Sequence, residues 1–247
     1  MKSRIQIVSL FLCLVGTSFT SAQGIEQFAK ANQEFATADF DSAVRDYEEL
    51  VRSGKDTPNL FYNLGNAYFR KKDFGRAILN YERALALDPH HPEAGANLRI
   101  GQDEARALEL VPTRLERALS VATQNQYAIA SAVAFWIFLF SIVAIIFSVR
   151  KRRGLVALSI LSLAIFALAS FAGWELARGK NGAGLAIVTA ENADARLATA
   201  DNANRVLTLP AGSEIQILSE RGDWIYAALP NNLRGWMPAK TIEAVRL

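Results

Sequence analysis

Two uncharged apolar runs flank a group of four cations in residues 128–174, AIASAVAFWIFLFSIVAIIFSVRKRRGLVALSILSLAIFALASFAGW. The first run, 128–149, has 22 residues, and the second, 155–174, has 20. At about 1.5 Å of rise per residue, each run is long enough for a helix to cross the roughly 30 Å hydrocarbon core of a bilayer. The sequence therefore predicts a transmembrane helical hairpin. The alternative, a buried hairpin of a soluble protein, is disfavoured because wholly uncharged core helices of this length are rare.

The loop between the two runs, residues 150–154, predicts the orientation of the hairpin. Its cations are Arg150, Lys151, Arg152 and Arg153. A cation at mid-membrane costs about 2.5–3.5 kcal/mol on insertion scales, and short loops rich in Lys and Arg stay in the cytoplasm. Tyr127 and Trp174 stand at the opposite ends of the spans, where aromatic rings favour the interface. We therefore expect a cytoplasmic loop, with the chain before and after the hairpin on the outer side.

Residues 1–22 have the three parts of a secretory signal peptide. Lys2 and Arg4 precede an apolar core, which is followed by small residues ending at Ala22. Such a signal brings the N-terminal domain to the outer side, in agreement with the basic loop. An uncleaved anchor is the alternative. The only cysteine, Cys13, lies in this segment, so the mature chain would suit an oxidising compartment.

Charge and motifs exclude several classes of function. Without the signal peptide and the loop, 21 basic and 24 acidic residues remain, and this balance predicts no nucleic-acid surface. The two histidines, His90 and His91, follow a helix-ending proline, which predicts a turn between helices rather than a metal site. The sequence shows no Ser-His-Asp set, paired carboxylates or metal cluster, so we expect no enzyme and no cofactor.

Residues 24–57 and 58–91 are two copies of a 34-residue pattern. The shift aligns Asn32 with Asn66, Phe35 with Phe69 and Tyr47 with Tyr81. The second copy carries Phe61, Leu64, Gly65, Tyr68, Ala77, Tyr81, Ala84 and Pro89. These residues occupy the signature positions of the tetratricopeptide repeat, and the copy resembles that family. The resemblance implies two antiparallel helices per unit.

A third helix with one apolar stripe is predicted over 92–110, where it would cap a helical domain spanning 23–110. Repeat arrays usually need about three units for stability. Two repeats and a capping helix are close to this limit. We therefore expect additional support from a partner, a second copy of the chain or the membrane.

The family resemblance also implies a protein-binding groove lined by the first helix of each unit. By position, its residues are Phe28, Asn32, Phe35, Tyr62, Asn66, Phe69 and Arg70. The two asparagines could bond an extended ligand backbone through their donor and acceptor atoms, or could join neighbouring helices. Ile100 occupies the equivalent place in the third unit, so we do not expect a carboxylate clamp.

The bridge of residues 111–126 opens with Thr113 and Glu116, the spacing of a capping box. Leu115, Leu119 and Ala122 follow at helical spacing. This pattern predicts a short amphipathic helix, which would lie on the membrane surface or pack under the capping helix.

The last segment, 184–247, has short alternating runs that end at Gly, Pro or Asn. Strands are predicted over 206–209, 214–219 and 224–229. The motifs Gly222-Asp223-Trp224 and Gly235-Trp236 resemble bacterial SH3-like domains, which implies an all-β barrel. Trp224, Tyr226 and Trp236 are the candidate binding surface, for peptidoglycan or protein. We expect Trp224 to be largely in the core and Trp236 to be partly exposed.

The complete order of segments predicts a multidomain membrane protein and resembles the BatE-type proteins of aerotolerance operons. The resemblance implies a non-catalytic inner-membrane scaffold with both soluble domains in the periplasm. It also implies von Willebrand factor A-domain membrane proteins and a MoxR-type ATPase as partners. The alternative is an envelope-tethered module whose SH3-like domain binds peptidoglycan.

The topology is the first prediction. Because four cations occupy the loop, reporter fusions at Arg152 and after Leu247 should report opposite sides of the membrane. Paired phosphatase and fluorescent-protein fusions measure this directly. Signals from the same side at both positions would contradict the hairpin.

Overall fold

The computed structural model describes residues 24–147, 152–178 and 184–246. Residues 24–109 and 186–246 form one compact unit, and residues 110–185 form a second. The predicted signal peptide, and Arg150 and Lys151 of the predicted loop, lie outside the described residues.

The helical part of the first unit contains five helices. They are α1 (24–36), α2 (Phe40–Arg52), α3 (Pro58–Arg70), α4 (Phe74–Leu87) and α5 (Pro92–Ala105). The side chains of Asp39, Thr57 and Asp73 accept backbone N–H groups at the starts of α2, α3 and α4. Gly65 lets α3 and α4 approach closely, since a Cβ there would lie 2.7 Å from the Tyr81 ring. This is a tetratricopeptide-like arrangement of two helix pairs and one further helix.

The strand part of the first unit is a seven-stranded antiparallel sheet. Its strands are β1 (Leu185–Val188), β2 (Asn192–Arg196), β3 (Arg205–Pro210), β4 (Glu214–Arg221), β5 (Trp224–Ala228), β6 (Arg234–Pro238) and β7 (Ile242–Ala244). The order is β3-β2-β6-β5-β4-β1-β7. The predicted SH3-like barrel is not confirmed, because the edge strands β3 and β7 do not pair and the sheet is open. Its core contains Leu209, Ile215, Ile225 and Met237.

Helix α4 packs against the strand domain. A Cβ at Gly75 would lie 3.0 Å from the Val188 carbonyl oxygen. Near the other end of the helix, Arg83 Nη2 donates to the Ala244 carbonyl at 3.0 Å and lies 3.6 Å from a carboxylate oxygen of Glu243. The repeat domain therefore receives additional support from the C-terminal domain of the same chain, a source that the sequence did not indicate.

The segment after α5 makes a second contact with the strand domain. The Leu108 N–H donates to Ser213 Oγ at 3.1 Å, and the Leu108 carbonyl accepts from the Glu214 N–H at 2.9 Å. The Val188 N–H donates to the Ser213 carbonyl at 3.0 Å. Residues 108 and 188 therefore bond to the same short turn.

The second unit contains α6 (Arg114–Leu119), α7 (Gln124–Phe147) and α8 (Arg152–Arg178). Helices α7 and α8 are each long and apolar enough to cross a membrane. They are antiparallel, because residues further along α7 contact residues earlier in α8. The contacting pairs are Ser131 with Ser170, Phe135 with Phe166, and Ser141 with Ser159. The serine pairs are 2.7 and 2.6 Å apart at Oγ, and small residues at the contact are typical of membrane helix packing.

The contact at Gly75 gives the second prediction. Gly95, in α5, has open space around its position, so Gly95→Ala should raise the free energy of unfolding by about 0.5–1 kcal/mol through helix propensity. Gly75→Ala should instead lower it by about 1–3 kcal/mol, because the new Cβ meets the β1 backbone. Denaturant melts of the full chain in detergent compare the two variants. Equal stabilisation by both would show that α4 does not pack tightly on β1.

Candidate functional site: the groove of the repeat domain

A polar network is repeated in the two units of the helical domain. Asn32 Oδ1 accepts from the Tyr47 hydroxyl at 2.6 Å and from Asn63 Nδ2 at 2.9 Å. Asn66 Oδ1 accepts from the Tyr81 hydroxyl at 2.9 Å and from Asn97 Nδ2 at 2.8 Å. Each network joins the two helices of one unit to the first helix of the next. The acceptor atom of each asparagine is thereby used inside the domain.

Burial makes the hydroxyl groups of these networks harder to ionise. It raises the pKa of Tyr47 to about 12, and it also raises the pKa of Tyr81. Both phenols are therefore donors at neutral pH. The networks hold the first helices in register and so position the groove residues.

The aromatic residues predicted for the groove also occupy equivalent places in the two units. Phe28 packs on Tyr47 with ring centroids 5.9 Å apart, and Tyr62 packs on Tyr81 at 6.3 Å. Phe35 meets Phe40, and Phe69 meets Phe74, each edge to face at 5.4 Å. The four groove aromatics are half-buried, so each presents part of its ring to solvent. The structure thus places them at the surface of the first helices.

Arg70 is the exposed cation among the predicted groove residues. Its guanidinium lies 4.7 Å from the centroid of the Phe40 ring, in the geometry of a cation–π contact. Such a group can bond a carboxylate or a carbonyl of an extended peptide without being buried. Ile100, the residue equivalent to Asn32 and Asn66 in the third unit, is 50% exposed.

Asn63 and Asn97 belong to the two networks, although the sequence motifs did not predict them. They are 34 residues apart, like the pairs already recognised, so the repeat spacing was the signal that could have found them. His91 has a structural role: its Nδ1 accepts from the Ala94 N–H at the start of α5, and its ring packs on Tyr62. Among the described residues, no group of three His, Cys, Asp or Glu side chains could hold a metal ion.

The strand domain presents a second candidate surface. Trp224, Tyr226 and Trp236 are half-buried and alternate with Ile225 and Met237, which belong to the core. Tyr226 and Trp236 are register partners with ring centroids 5.0 Å apart, and the Arg221 guanidinium lies 5.5 Å from the Trp236 ring. Trp224 lies on the same face as Tyr226 and has the same intermediate burial as Trp236, so its place largely in the core stays a prediction. The three rings form one aromatic surface that can stack a ligand.

A half-open pocket of about 140 Å³ is lined by residues of α2, α3 and α4 and by Glu243 of the strand domain. Among the residues that the structure describes, Asn80 Oδ1 and Arg83 Nε of this lining are buried without a hydrogen-bond partner. Burial lowers the pKa of the Arg83 guanidinium, while the nearby Glu243 favours its charged form. The space is large enough for ordered water.

Comparison with known proteins places one part of the chain in a family. A family model described as Tetratricopeptide repeat matches residues 58–91, which hold α3, α4 and the turn after them. No curated protein matches the chain. The molecule thus contains a tetratricopeptide repeat, two helices that could cross a membrane and an antiparallel sheet domain. Such repeats are typically non-catalytic and mediate contacts between proteins.

The asparagine network gives the third prediction. Asn66→Ala leaves the Tyr81 hydroxyl and the Asn97 amide without their acceptor, so it should lower the free energy of unfolding by about 1–3 kcal/mol. A double-mutant cycle with Tyr81→Phe should show a coupling energy of at least about 0.5 kcal/mol. Additive effects together with lost partner capture would instead make Asn66 a groove ligand.

The outer aromatic surface gives the fourth prediction. Met237→Ala should cost about 2–5 kcal/mol of stability, because Met237 is fully buried in the core of the sheet. Trp224→Ala and Trp236→Ala should both cost less, because both side chains lie on the outer face of the sheet and are partly exposed. Thermal melts of the full chain rank the three variants. A loss of stability in Trp224→Ala as large as that in Met237→Ala would show that Trp224 is part of the core.

Proposed function

We propose that this protein is a non-catalytic scaffold of the bacterial inner membrane, which binds a segment of a partner protein in its repeat groove. The observation that carries this proposal is the repeated lining of half-exposed aromatic side chains with Arg70 beside them. The lining occupies the first helices of a recognised tetratricopeptide repeat and its neighbour. Such a surface can bind an extended or helical segment of a partner, through the main-chain amides and the apolar side chains of that segment.

The proposed orientation has both soluble domains in the periplasm. The basic loop and the predicted signal peptide support it from the sequence. Connectivity supports a common side for the two domains. The chain enters the hairpin from the repeat domain and leaves it into the strand domain, and these two domains belong to one compact unit. Domains in contact must lie on the same side of a membrane, as a two-span hairpin requires.

The proposed partners follow the order of segments. Signal peptide, repeats, two spans and a terminal β domain resemble the BatE-type arrangement. On that basis, the groove binds von Willebrand factor A-domain membrane proteins, within an aerotolerance system that includes a MoxR-type ATPase.

A second candidate function is favoured by the aromatic surface of the strand domain. Trp224, Tyr226 and Trp236 share one face of the sheet, and the Arg221 guanidinium lies over the Trp236 ring. Sugar rings and peptide planes stack on such surfaces. In this alternative the protein binds peptidoglycan through these rings.

The fifth prediction tests the groove. Arg70→Glu should weaken capture of the partner by about tenfold, because it reverses the charge at the exposed end of the groove. Arg45→Glu on α2 is the matched control, since this arginine is also exposed and its guanidinium donates locally, to Ser42 Oγ at 2.7 Å. Crosslinking in membranes, followed by quantitative mass spectrometry, measures capture by each variant.

Three outcomes separate the two functions. Loss of capture with Arg70→Glu but not with Arg45→Glu supports the groove. Equal capture by both variants contradicts it. Sedimentation with purified peptidoglycan that is lost in Trp236→Ala, with groove variants unaffected, would favour the second function.

A further inference from the structure

The segment of residues 111–123, here called the juxtamembrane segment, exposes three large aliphatic side chains. Val111, Leu115 and Val121 are 66%, 43% and 88% exposed. Single exposed aliphatic residues are normal on a protein surface. Here three occur within thirteen residues that directly precede an apolar helix able to span a membrane.

Hydrogen bonds fix the juxtamembrane segment to the first turn of α7. The Tyr127 hydroxyl donates to the Leu119 carbonyl at 2.9 Å. The Thr123 N–H donates to Gln126 Oε1 at 2.8 Å, and the Gln126 N–H donates to Thr123 Oγ1 at 3.2 Å. This reciprocal pair defines where α7 begins. The C-terminal end of α6 therefore lies beside the end of the predicted span.

The depth of this end is set by aromatic residues. Tyr127 faces Gly173 on α8, next to Trp174. Tyrosine and tryptophan rings concentrate at the level of the lipid headgroups. Because Tyr127 bonds the Leu119 carbonyl, α6 lies at that level too. The exposed Val121 and Leu115 would then meet lipid rather than bulk water.

The charges of α6 suit the same surface. Arg114 and Arg117 are exposed, whereas the Glu116 carboxylate accepts from the Thr113 N–H at 2.6 Å within the capping box. Long cationic side chains can reach phosphate groups while their apolar stems stay near the acyl boundary.

We propose that the juxtamembrane segment binds the bilayer surface, with Val111, Leu115 and Val121 at the acyl boundary and Arg114 and Arg117 on anionic lipid headgroups. This inference rests on the proposed membrane hairpin. It assigns α6 to the lipid surface, which was one of the two placements left open by the sequence.

The experiment measures the depth of spin labels in the full-length protein. A Cys13→Ser background carries one nitroxide at a time, at Val121→Cys, Val143→Cys or Leu87→Cys. Val143 and Leu87 are both 50% exposed and serve as references in the span and in the repeat domain. The protein is reconstituted in nanodiscs of phosphatidylcholine, with or without phosphatidylglycerol. Collision rates with oxygen and with a water-soluble nickel chelate give the depth.

The expected oxygen preference at Val121 lies between the high value at Val143 and the low value at Leu87. A water-like value at Val143 would overturn the membrane hairpin and, with it, this inference. A lipid-like value at Val143 with Val121 equal to Leu87 would overturn the inference alone.

The headgroup part of the inference has its own test. Arg114→Gln with Arg117→Gln should move the Val121 label toward water in discs with phosphatidylglycerol and leave it unchanged in phosphatidylcholine. An unchanged depth in both discs would overturn the assignment of the arginines to anionic headgroups.

Discussion

The packing of α4 against the strand domain is the contact on which both the repeat domain and the strand domain depend. In a repeat array, the second helix of one unit is covered by the helices of the next. Here α5 is followed by the six-residue α6 instead of a full second helix. Ile78 and Leu79 of α4 are nonetheless almost fully buried, and burial of such side chains contributes about 1.5–3 kcal/mol each. The turn at Gly212, whose φ of 83° favours glycine, approaches Ile78 so closely that a Cβ would lie 2.2 Å from its Cδ1. The strand domain thus takes the place of the missing helix.

Much of this fold could be predicted because its signals are local. Helix pairs follow from the 34-residue spacing and from caps such as Thr57, and the hairpin follows from charge and length. Strands β3, β4 and β5 follow from alternation. Strand β1 was missed because its four residues are all buried and show no alternation, and β2 was missed because Asn, Ala and Asp have low strand propensity. The open sheet was missed because closure depends on pairing between distant strands.

The candidate site was predicted to a similar extent. The repeat spacing placed the groove aromatics in equivalent environments, but it did not show which partners Asn32 and Asn66 would take. The face occupied by Trp224 depends on strand register, which the motif around it does not specify. The contact between Arg83 and Glu243 joins residues far apart in sequence, and no local pattern marks it.

The shared turn at Ser213 changes how the chain is best divided. Leu108 and Val188 flank the hairpin of α7 and α8 in sequence, yet both bond to this turn. The two soluble parts are therefore halves of one discontinuous domain, and the hairpin is an insertion between neighbouring points on its surface. Insertions are tolerated where chain ends lie close together, because they leave the host's core intact. In this protein, then, the two long apolar helices form an insertion in a single host domain and not a linker between two.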